Sequence, residues 1–157
     1  MSEEAASEIE GLEDAIFDLV DGMLEHLDWD LDVEVNAEDP ETVRVELFGP
    51  DRDEMLSNRA EVLEVFQYLT NRIFGRRLEE RRLVVDCEGF RARKETELQE
   101  VAARVSERVR ASGQEEEIGR FNPYERRIVH LAVAEIEGVT TESEGDGVMK
   151  RLIILPS

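Results

Sequence analysis

NPYERRIVHLAVAEIEG, residues 122–138, is the stretch on which the fold of this chain turns. Asn122 is a strong N-cap, Pro123 suits the first helical position, and Glu125 stands where a capping box needs a carboxylate. Gly138 supplies a stop. At about 100° per residue, Ile128, Val129, Leu131, Ala132, Val133 and Ile136 cover a broad apolar arc. Arg126, Arg127 and His130 gather on the polar side, and the four-residue step makes Arg126 and His130 neighbours. Two cations beside an imidazole have no mutual attraction to explain them. Their shared geometry suits an anion such as a phosphate, with Arg as the fork.

That cluster is unexpected in a chain of 157 residues carrying a formal net charge of −20. The charge is uneven. Residues 1–70 hold 22 Asp and Glu against 3 Arg, a net of −19, whereas residues 71–157 hold 17 acids against 16 bases, a net of −1. The acidity therefore belongs to the first part, and the second is judged separately as a phosphate partner. Of the 19 basic residues 17 are Arg, the side chain suited to bidentate phosphate contacts.

Before residue 90 the periodicities change along the chain. Residues 8–27 repeat apolar side chains at helical steps. LDVEV and TVRVELF alternate as strands across the turn Ala37-Glu38-Asp39-Pro40. A helix is expected from about Ala60 to Phe74, with a short one before it, and RRLVVDCEGF gives a third strand with Leu83, Val85 and Cys87 on one face. The order α-β-β-α-α-β implies a compact α+β unit with helices on one face of a sheet.

A second unit follows. A charged helix over 92–111 carries the stripe Leu98, Val101, Val105 and Val109, EEIGRF is a short strand, and the 122–138 helix leads into two strands around Glu144-Gly145-Asp146-Gly147. The expected division is 1–90 and 91–157.

NPYERRIVHLAVAEIEGVTTESEG resembles the core of the R-three-H domain, a single-strand nucleic-acid-binding module named for its Arg-x-x-x-His pair. It is especially similar to the version in the bacterial Jag family, also called KhpB or EloR. The resemblance implies that Arg126 and His130 are the signature pair and that Arg127, Lys150 and Arg151 support phosphate binding. It also implies a type II KH domain in front, with LEVFQYLTNRIFG similar to the helix that follows the nucleic-acid loop. KH domains grip the backbone with a Gly-x-x-Gly loop, because glycines let phosphates come close. Here that loop is Ser57-Asn58-Arg59-Ala60, with Asp51, Asp53 and Glu54 beside it. The KH unit is therefore expected to have lost most of its grip on RNA.

The expected function is binding of single-stranded nucleic acid, RNA before single-stranded DNA, through the C-terminal unit. The resemblance allows a regulatory role in cell elongation or envelope synthesis. The alternative is a scaffold whose acidic first unit recruits a basic or KH-containing protein. No catalytic motif, cofactor loop or metal-ligand spacing stands out. His26 beside Glu25 and Asp28 reads as surface chemistry and Cys87 as a packed core thiol. No stretch reaches the roughly 18 apolar residues of a membrane span, and MSEEAASEIE lacks the pattern of a secretory leader. With a single cysteine, a cytoplasmic setting is expected.

Overall fold

A computed structural model describes residues 3–157, with side chains from residue 8 onward. The first two residues of the expected 1–90 domain, and of the N-terminal stretch read as lacking a leader, lie outside the described residues. The chain divides into two compact units, Met1–Phe90 and Arg91–Ser157, and their hydrophobic cores share no residue.

The first unit contains α1 (Glu3–Leu27), β1 (Asp32–Asn36), β2 (Thr42–Phe48), α2 (Arg52–Leu78) and β3 (Arg82–Cys87). Within α2 the backbone leaves the helix at Ser57, and Asn58, Arg59 and Ala60 follow at φ of 49°, 61° and 58°. Two helical segments therefore meet at that break, and the order is the α-β-β-α-α-β expected. β1 runs antiparallel to β2, and β2 parallel to β3. Leu12, Ile16, Val20 and Leu24 lie at four-residue steps along α1 and are buried with Val43, Val45 and Leu47 of β2 and Leu83, Val85 and Cys87 of β3. Removing such side chains from water is the main favourable term in folding this unit.

The other face of this sheet carries a row of carboxylates. Register places Glu34 opposite Glu46, and Glu46 opposite Asp86. Burial is the first cause that raises the Glu46 carboxyl above its ordinary value; Asp86 and Glu34 add to it, and Arg44 opposes them. Like charges directly opposite are destabilising. Replacing Glu46 with Gln should therefore raise stability at pH 7 by a few tenths of a kcal/mol, the carboxyl being partly solvated. A folded-state pKa above the unfolded one binds the proton more tightly when folded. Stability should accordingly rise as pH falls from the raised folded value toward the usual carboxylate range. Urea denaturation of both proteins at pH 7 and pH 5 checks this, since the Gln variant should lack that share of the gain.

The second unit contains α3 (Phe90–Ser112), β4 (Glu116–Phe121), α4 (Pro123–Ala134), β5 (Val139–Glu144) and β6 (Lys150–Pro156), α3 starting at the last residue of the first. Its sheet is antiparallel in the order β4-β6-β5, with β6 in the centre. Leu98, Ala102, Val105 and Val109 of α3 share a core with Ile128, Val129 and Val133 of α4 and with Leu152 and Ile154 of β6. Arg108 forks onto Glu116, with Nε–Oε2 at 3.1 Å and Nη2–Oε1 at 2.5 Å, joining the end of α3 to β4.

Two sequence expectations for α4 need correction. The helix ends at Ala134 with Glu135 as its C-cap, before Gly138. The Ile136 amide still donates to the Val133 carbonyl at 2.9 Å, as a single turn leading toward β5. Leu131, placed in the apolar arc, is 59% exposed. The helix buries one side only, and a six-residue arc was wider than that side.

Candidate nucleic-acid interface

The site is built around the first two turns of α4. The Asn122 side chain accepts from the Glu125 amide at 2.9 Å, and the Asn122 amide donates to Glu125 Oε2 at 3.0 Å. This capping box fixes the helix start. Glu125 is 3% exposed, and its charge is met by Lys94 at 3.9 Å. The cap sets where the following side chains emerge.

Arg126 leaves the first turn toward the β5–β6 hairpin. Its Nη1 donates to the Phe121 carbonyl at 2.8 Å and to the Val148 carbonyl at 2.7 Å. It thereby links the end of β4 to the turn between β5 and β6. Among the described residues Nε and Nη2 form no further hydrogen bond or ion pair. Arg126 is therefore a brace with one edge left over, rather than the free fork read from the sequence.

His130 follows one helical turn later. Its Nδ1 is hydrogen-bonded to the Thr141 hydroxyl, and its Nε2 lies 3.2 Å from the Ser143 hydroxyl. Thr141 and Ser143 are the cross-strand partners of Ile154 and Leu152, so they sit on the helix-facing side of the sheet. Burial lowers the His130 pKa below its ordinary value, and the positive charge of Arg126 lowers it further. At neutral pH the ring is an uncharged hydrogen-bonding spacer between α4 and β5.

A lowered imidazole pKa means that the unfolded chain binds the proton more tightly. Stability is then fully present above the ordinary histidine value and is lost as pH falls through the window between that value and the folded one. The loss between pH 7.5 and 5 should be smaller in His130→Gln than in the parent, as read by chemical denaturation. An equal loss in both would remove His130 as its source.

The other predicted residues divide between two faces. Lys150 is the cross-strand partner of Phe121, whose carbonyl Arg126 holds, and it lies on the Leu152 side of β6. Arg127 is exposed on the outer side of α4 and has no ion pair among the described residues. Arg151 points the opposite way, because successive strand residues alternate faces. It lies between Glu117 at 3.0 Å and Glu144 at 3.9 Å. The structure thus gathers Arg126, His130 and Lys150 around one hairpin, sets Arg127 beside them on the helix, and separates Arg151.

Sequence reasoning missed Thr141 and Ser143. Their two-residue spacing on a strand after the helix was the available signal. The Phe121 and Val148 carbonyls left no trace in residue types. Ser57–Ala60 forms the break in α2, with Ser57, Asn58 and Arg59 exposed and Ala60 buried. Ser57 Oγ donates to the Glu54 carbonyl at 2.9 Å. His26 Nδ1 lies 2.7 Å from the Gly22 carbonyl one turn back, and Cys87 is buried. Among the described residues no cluster of His, Cys, Asp and Glu is arranged to hold a metal. No described helix is long and apolar enough to cross a membrane.

Comparison with known proteins adds two findings. Residues 96–156 match the R-three-H domain family, which spans α3 from its second turn through β6. The chain is also 26% identical over 147 residues to the RNA-binding protein KhpB of Clostridium symbiosum. That alignment covers 92% of this chain and 66%, just under two thirds, of the relative.

Proposed function

We propose that this chain binds single-stranded RNA, with most of the contacts made by residues 91–157. The observation that carries the reading is Arg126. Two backbone carbonyls, of Phe121 and Val148, hold its guanidinium in place, and Lys150, the cross-strand partner of Phe121, lies on the helix-facing side of the same hairpin. Arg127 adds a second phosphate contact from the outer side of α4, and His130 spaces the helix from the strand. Arg151, held by two carboxylates on the far face, contributes least. The match of this segment to the R-three-H family and the RNA-binding relative support the same reading.

Residues 1–90 are proposed to be a type II KH-like domain without an effective grip on phosphate. At Ser57–Ala60, exposed Asn58 and Arg59 side chains occupy the loop, and Asp53 and Glu54 stand in the preceding turn. Bulk and like charge both oppose a phosphate approaching the backbone there. The protein acts without a cofactor, as a regulatory binder in the cytoplasm rather than an enzyme, in cell elongation or envelope synthesis.

Fluorescence anisotropy with labelled single-stranded RNA at several salt concentrations tests the proposal. Each single-strand phosphate contact contributes about 0.7 to the slope of log affinity against log salt. Arg127→Ala/Lys150→Ala should flatten the slope by about 1.4, whereas Arg151→Ala should change it little. The acidic row Glu34, Glu46 and Asp86 favours one second reading, recruitment of a basic or KH-containing protein. No RNA binding even at low salt, with capture of such a partner through the first unit, would replace the first reading by the second.

A further inference from the structure

The hairpin that Arg126 and His130 hold has a tip that neither charge nor packing explains. Val148 is 68% exposed and Met149 38% exposed. Exposed apolar side chains occurring singly need no explanation. Here two adjacent ones stand at the end of a five-residue loop, Gly145-Asp146-Gly147-Val148-Met149, whose shape is fixed from both ends. Gly145 and Gly147 take φ of 113° and 88°, where an L side chain is strained, although an added Cβ would meet nothing within 4 Å at either. The glycines thus serve the backbone course rather than close packing. From below, Arg126 holds the Val148 carbonyl at 2.7 Å, and His130 is bonded to Thr141 and Ser143 on the incoming strand.

Resting on the proposed binding of RNA, we propose that this tip contacts bases, with Val148 and Met149 packing against an unstacked base while Arg126 and Lys150 meet the backbone beside it. The chemistry is divided between neighbours. Single-stranded RNA offers apolar ring faces and phosphates alternately, and recognition of it pairs a platform for the first with cations for the second. The thioether of Met149 is soft and polarizable and suits a ring face. The carboxylate of Asp146 at the same tip disfavours phosphate, so the backbone lies on the Arg126 and Lys150 side. On this view Arg126 and His130 act as positioning residues for the tip.

The test compares the whole parent chain, Val148→Ser/Met149→Ser and Val148→Leu/Met149→Leu, by anisotropy with labelled single-stranded oligouridine and with an abasic ribose-phosphate oligomer of equal length. Both side chains are solvent-facing, so the variants should give the parent's circular dichroism and melting curve. The serine variant should bind oligouridine roughly tenfold more weakly with the salt slope unchanged, since losing the burial of on the order of 60 Å² of apolar surface at about 25 cal/mol per Å² amounts to that factor and no phosphate contact is lost. The leucine variant should retain most of the affinity. The parent should bind the abasic oligomer about as weakly as the serine variant binds oligouridine. Equal binding of oligouridine by parent and serine variant overturns the inference and leaves the RNA reading standing, as does equal binding of both oligomers by the parent. Absence of binding by the parent removes both. Loss of self-association or of a protein partner in the serine variant, with RNA affinity intact, would assign the tip to protein contact and also overturn the inference.

Discussion

Arg126→Ala should destabilise the second unit by about 2 kcal/mol and weaken RNA binding by more than tenfold. A hydrogen bond to a charged group contributes roughly 1.5–3 kcal/mol, and Arg126 makes two, to Phe121 and Val148. The effect is set below their sum because the loop carbonyl of Val148 can return to water. The loss in affinity has two origins. One cation leaves the surface, and the hairpin loses the tie that holds its tip. Arg126→Lys separates them. It keeps the charge without the planar fork, so it should retain the salt slope and lose part of the stability. Urea denaturation and salt-dependent anisotropy on the three proteins read both quantities. Unchanged stability in the alanine variant would mean that Arg126 is not the brace.

Gly49→Ala should have the second large effect, in the first unit, whereas most of the proposed RNA contacts are assigned to residues 91–157. Gly49 has φ of 147°, and a Cβ there would stand 2.9 Å from the Asp30 carbonyl oxygen and 3.2 Å from the Leu31 Cα. Both are backbone atoms that no rotamer change can move. The substitution therefore forces the segment entering β1, at Asp30 and Leu31, away from the chain leaving β2, and should cost the first unit on the order of 3 kcal/mol. The chain has one tryptophan, Trp29, which packs against the first core, so its fluorescence reports this unit. The denaturation midpoint followed by Trp29 should fall sharply. RNA affinity should stay within about twofold of the parent, since the two cores share no residue and the contacts are assigned to residues 91–157. Affinity lost in step with the Trp29 transition would move the contacts to the first unit.

Much of this was legible in the residues. Asn122, Pro123 and Glu125 announced the start of α4 because capping is local chemistry. The alternation in β2 and the four-residue steps in α1 gave their faces, since a one-sided core imposes its period on the sequence. The fate of the charged residues was less legible. KRLIIL has no clean two-residue alternation, so the sequence did not reveal that Lys150 and Arg151 part company on opposite faces of β6. Arg126 looked like a free cation because its partners are carbonyls, which every residue carries. The left-handed turn at Asn58–Ala60 contains no glycine to signal positive φ. Only the resemblance to a KH loop marked that position.

Photo-crosslinking of the whole chain to single-stranded RNA containing 4-thiouridine, with the modified peptides sequenced by mass spectrometry, tests the central claim most directly. The expected result is crosslinks within residues 121–131 and 145–151, reduced in Arg126→Ala and unaffected by Gly49→Ala. Crosslinks confined to the break in α2 around Ser57–Ala60, with none on α4 or the β5–β6 hairpin, would contradict it and return the RNA to the first unit.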